Sequence, residues 1–85
     1  MAKLKVTYVD GRVSEYQVTP AVEYEFETHF KKGFHKAIVE EGMQTYIYYL
    51  CWSCSRRAGE APKPFGDSFM ETLKGVEVLD DDPLA

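Results

Sequence analysis

Cys51 and Cys54 are the only cysteines of the chain, set as C-x-x-C within the run YYLCWSCSRRAG that spans Tyr48 to Gly59. That spacing suits two kinds of chemistry. One is thiol–disulfide exchange, which needs a thiolate of lowered pKa. The other is zinc binding, for which Cys51 and Cys54 with His29 and His35 would supply the four ligands of a tetrahedral Cys₂His₂ centre. A redox pair of this type sits at a helix N-terminus just after a strand, where the dipole favours the thiolate. Here the helical pattern starts well before Cys51 and runs past Cys54, so the pair is mid-helix. Nothing in the spacing of the histidines demands a metal. The expectation is therefore two small hydrophobic side chains on a core-facing stripe, with no bound metal and no cofactor.

Other catalytic signals are weak. Glu23, Glu25 and Glu27 are close in sequence, but with no accompanying feature they read as a solvated face. Ser53, Ser55 and Ser68 lack a strand-turn-helix nucleophile context, and no glycine-rich phosphate loop is present. An enzyme is not expected.

The elements that position these residues follow from local signals. Lys3 to Val9 and Arg12 to Val18 are rich in β-branched and aromatic residues and flank Asp10-Gly11, which predicts a β-hairpin over 3–18. A two-residue turn would set Leu4, Val6 and Tyr8 opposite Gln17, Glu15 and Val13, whereas a longer bulged loop would match them to Val18 and Tyr16; the register stays open. Thr19-Pro20 is a helix start, and Val22, Phe26 and Phe30 recur every fourth residue up to a stop at Gly33, predicting a helix over 20–32. Phe34 to Glu41 is ambiguous, readable as a short helical turn closed by Gly42. The pattern then predicts a long helix over 43–58 with Arg56-Arg57 in its last turn and Gly59 as its stop, a linker at 62–66, and a short helix over 67–74 in which Phe65, Phe69 and Leu73 repeat. The acidic end, 80–85, is expected to fray. The class is α+β: one small, mainly helical domain over 1–79 behind an N-terminal hairpin.

On a helical wheel, Met43, Ile47, Leu50, Cys54 and Ala58 form one stripe flanked by Tyr46 and Cys51. Tyr48, Tyr49 and Trp52 project from the other side with Thr45 and Arg56. A helix that is apolar on two sides must either be sandwiched by its own chain or offer one side to a partner, and Trp, Tyr and Arg are enriched at the energetic centres of interfaces. A chain of 85 residues has little core to spare, so self-association is expected to support it. The net charge of −4 argues against a nucleic-acid partner. The longest apolar run, Tyr46 to Trp52, is too short to span a bilayer, and the N-terminus lacks a signal-peptide core, so a cytoplasmic protein with reduced thiols is expected.

The run Leu50 to Gly59, the following Phe65 and Phe69, and the opening Val6-x-Tyr8-x-Asp10-Gly11 together resemble tail assembly chaperones of long-tailed, siphovirus-type bacteriophages. In that pattern a hydrophobic helix with an internal tryptophan ends in a basic pair and glycine, and a Phe-x-x-Phe-like segment leads to an acidic end. Here Phe65 and Phe69 are four apart, and cysteines stand where the pattern has alanines. The resemblance implies a non-enzymatic, homo-oligomeric protein that acts in the host cytoplasm during viral tail assembly. It would keep the tape measure protein soluble, help recruit tail tube subunits, and be absent from the finished virion. It also implies a programmed frameshift giving a longer product. Trp52, Arg56, Arg57, Phe65 and Phe69 carry over as partner-binding positions, joined by Tyr48 and Tyr49 from the helix reading; Gly59 carries over as structural. The alternative expectation is a small phage or bacterial adaptor or inhibitor that pairs with one folded protein.

Overall fold

Residues 3–79 are described by a computed structural model, and the expected acidic tail at 80–85 lies outside the described residues. Strand β1 (Lys3–Tyr8) buries every second side chain, Leu4, Val6 and Tyr8, while Lys3, Lys5 and Thr7 face the other way. It pairs antiparallel with β2 (Val13–Gln17). Tyr8 N–H donates to Arg12 O at 2.8 Å and Gly11 N–H to Tyr8 O at 3.0 Å, so the loop is Val9-Asp10-Gly11, with Gly11 at φ 95°. That positive φ is why glycine stands there. The three-residue loop sets a register that neither expected option gave, pairing Leu4 with Tyr16 and Val6 with Ser14.

Helix α1 (Pro20–Phe30) begins as expected: Thr19 Oγ1 accepts the Val22 N–H at 3.4 Å and proline occupies the first turn. It ends two residues earlier than its pattern suggested. Lys31, not Gly33, takes the left-handed conformation (φ 59°), and its N–H closes onto Glu27 O. The Glu27 carboxylate accepts the Phe34 N–H at 2.7 Å, which holds the chain in a tight reversal. Gly33 is extended and opens the next element instead. The ambiguous segment is helical: α2 (Phe34–Lys36) widens into a π-helical turn, Ala37–Glu41, closed by Gly42 at φ 58° with its N–H on Ala37 O.

Helix α3 (Gln44–Arg57) matches the expected long helix to within one residue at each end, and Gly59 follows at φ 81°. The predicted helix over 67–74 is corrected: α4 (Asp67–Met70) is one turn, and Leu73 opens strand β3 (Leu73–Val78). Thr72 Oγ1 donates to Phe69 O at 2.6 Å at the point where the helix stops, and the β-branched Val76 and Val78 favour extended chain beyond it. Strand β3 pairs antiparallel with the free side of β1, giving a three-stranded sheet in the order β2-β1-β3, with an irregularity between Thr7 and Tyr8. The α+β class holds. Leu4, Val6, Tyr8, Tyr16 and Val18 from the hairpin side share one core with Val22 and Phe26 of α1 and Tyr46, Leu50 and Cys51 of α3. Burying each such large side chain contributes about 1.5–3 kcal/mol.

Candidate protein-interaction site

The expected core stripe of α3 is buried only in its middle, with Met43 and Ala58 exposed at its ends. Tyr46, Leu50, Cys51 and Cys54 are buried toward the common core. Tyr49, expected on the other side, joins the same core through an aromatic cluster: its ring stacks on His29 at 4.4 Å and 17°, and meets Phe30 edge-on at 5.2 Å and Phe65 at 5.0 Å. Helix α1 and Phe65 from the following loop thus cover this face, not the hairpin. Trp52 is only partly covered. Its indole N–H donates to Lys63 O at 2.9 Å, its ring lies 6.0 Å from Phe65, and the Arg56 guanidinium sits 5.3 Å from its centroid. Tyr48 is also partly exposed and lines a shallow cleft with Met70, Leu73, Lys74 and Gly75.

Of the seven expected partner-binding positions, Tyr49 and Phe69 are 4% and 1% exposed and serve as core. Tyr48, Trp52 and Phe65 are partly exposed, and Arg56 and Arg57 are exposed. Both arginines are committed within the chain. Arg56 Nη2 reaches the two Glu25 carboxylate oxygens at 2.7 and 2.6 Å, and Arg57 Nε reaches Oε1 at 3.1 Å. The fully buried Ser53 hydroxyl donates to the same oxygen at 2.7 Å. The expected solvated glutamate face is therefore corrected at Glu25, whose side chain is 18% exposed and ties α1 to the end of α3. Burial pushes its carboxyl pKa up, but the hydrogen bonds from Ser53, Arg56 and Arg57 outweigh this and hold it below the ordinary value.

The two residues just before the segment read as a linker, Glu60 and Ala61, form a clasp. Glu60 Oε1 accepts from Tyr16 Oη at 2.7 Å, Ser55 Oγ at 3.1 Å and Arg12 Nη1 at 3.5 Å, while Tyr8 and Tyr16 hydroxyls bond at 2.8 Å. Ala61 follows in a left-handed conformation at φ 51°, turning the chain back so that Lys63 and Phe65 reach Trp52. Burial and the bonds to Tyr8 and Glu60 raise the Tyr16 pKa, so its hydroxyl stays protonated. Nothing in a local pattern flags Glu60; only its place just after the Gly59 stop hints at a role.

The four candidate metal ligands are not brought together. Both cysteines are buried, Cys54 Sγ approaches Gln17 O at 3.9 Å, His29 lies on Tyr49, and His35 is exposed on α2. Among the described residues no three His, Cys, Asp or Glu side chains converge on one point. Burial pushes both thiols up, Cys54 to about 11, which opposes thiolate chemistry. No helix among the described residues is long and apolar enough to cross a membrane. Comparison with known proteins finds no matching family, no matching characterised protein and no matching solved structure.

Proposed function

We propose that this chain is a non-enzymatic bacteriophage tail assembly chaperone. It holds the tape measure protein in solution, helps recruit tail tube subunits, acts in the host cytoplasm and is left out of the finished virion. The observation that carries the reading is the half-open Trp52, set on a rigid helix between Tyr48, Phe65 and the Arg56 guanidinium. An aromatic and cationic ridge of this kind suits the apolar stripe of a client helix. Repeated weak contacts along a long client would add by avidity, with no deep pocket required. The chain's negative charge limits nonspecific association of the chaperone itself.

The test is coexpression with the tape measure protein. Trp52→Ala and Tyr48→Ser should each lower the soluble client fraction while circular dichroism shows the chaperone still folded. Undiminished client solubility with both variants refutes the reading. Capture of one compact protein in a fixed one-to-one complex favours the adaptor alternative instead.

A further inference from the structure

We infer that the free edge of β3 pairs with the same edge of a second copy, giving a two-fold dimer with a continuous six-stranded sheet centred on Val76. The inference stands whether or not the client reading holds. Leu79 N–H donates to Lys3 O at 2.9 Å, so in the alternation of an antiparallel ladder Gly75, Glu77 and Leu79 turn their backbone groups toward β1. The backbone N–H and C=O of Val76 and Val78 then point away from the sheet. Among the described residues no strand pairs with that side, because the sheet order leaves β3 outermost.

The other edge differs. Strand β2 is one residue shorter, and the Cys54 thiol approaches the Gln17 carbonyl at 3.9 Å. Short length discourages edge pairing. Strand β3 holds no proline, and Val78 and Leu79 are 42% and 39% exposed at its end. An open, partly apolar edge of this kind is a template for another strand.

Symmetry narrows what that strand is. A two-fold axis normal to a continuous antiparallel sheet sets one residue opposite its own copy. Centring on Glu77 would oppose two like charges, which destabilises a cross-strand pair. Centring on Val76 opposes two valines, overlaps residues 73–79 fully, and sets Glu77 against the bare Gly75 of the partner strand. It also joins the outward N–H and C=O of each Val76 in a reciprocal hydrogen-bonded pair. The register of greatest overlap is thus the one that satisfies both the backbone phase and the charge pattern, which points to a second copy as the occupant.

The experiment is sedimentation velocity on the full chain over a concentration series, with Val78→Pro as the variant. Proline removes an N–H that β1 does not use, and an outward N–H on an edge strand is where a sheet tolerates it. The wild type should sediment as a dimer. Val78→Pro should raise the dissociation constant at least tenfold with an unchanged circular dichroism spectrum. Hydrogen exchange on the wild type supplies a check free of mutation: the Val76 and Val78 amides should be protected in the dimer and exchange rapidly on dilution. A wild type that stays monomeric, a dimer indifferent to Val78→Pro, or amides that exchange freely in the dimer each overturns the inference. Protection that appears only when client is added overturns it too, by assigning the edge to an extended client segment.

Discussion

Replacing Glu25 by Gln keeps the shape of the side chain and removes the one charge on which Arg56, Arg57 and Ser53 converge. The two arginine side chains are 46% and 39% exposed, so each ion pair is screened by water and contributes about 0.5–1 kcal/mol. The Ser53 bond is different: the hydroxyl is fully buried, and exchanging a charged acceptor for a neutral one weakens it by about 0.5–1 kcal/mol. Together these give about 2 kcal/mol, or a melting temperature lower by about 8–16 °C in a domain of this size. The carboxylate pKa is lowered in the folded chain, so the stabilisation is complete above the unfolded value of 4.5 and is lost as pH falls through the folded value. Urea unfolding of wild type and Glu25→Gln should therefore differ by a constant amount at neutral pH, with the gap closing below about pH 4.5. A difference under about 0.5 kcal/mol at pH 7, the level of an ordinary surface substitution, refutes the account of this cluster.

Glu60→Ala should cost about 1–3 kcal/mol by leaving the Ser55 hydroxyl without its acceptor and the Tyr16 hydroxyl with Tyr8 alone. Loosening the clasp should also shift Trp52 fluorescence to the red. Phe26→Ala, at a fully buried position where the rings of Phe30, Phe34 and Tyr46 meet, should cost about 3–5 kcal/mol in chemical denaturation. Cys51 and Cys54 should react slowly with an alkylating reagent at pH 7 and rapidly in denaturant, because burial raises both thiol pKa values. Rapid alkylation of the native chain would show an open C-x-x-C.

Much of the architecture was legible from local signals. Asp10-Gly11 marks a turn, Thr19-Pro20 starts a helix, and the apolar spacing from Met43 to Ala58 defines a long helix, because each depends on residues within a turn or two of one another. The partly exposed aromatic side of α3, Tyr48 and Trp52, was legible for the same reason. What covers each side was not. Tyr49 meets rings more than a dozen residues away in α1 and in the 60–66 segment, and no period within α3 specifies which of these arrives. Short apolar repeats also misled: Phe69 and Leu73 fit one helical face, yet β1 has a free side, and satisfying its backbone groups draws Leu73–Val78 into the sheet.

The sequence by itself determined the hairpin, the two long helices, their approximate ends and the partly exposed aromatic side of α3, since backbone preference and side-chain periodicity act over a few residues. Tertiary structure alone decided the hairpin register, the third strand, the left-handed stop at Lys31 and the capture of Glu25 and Glu60. Those outcomes depend on which polar and apolar groups, distant along the chain, satisfy one another once the core closes.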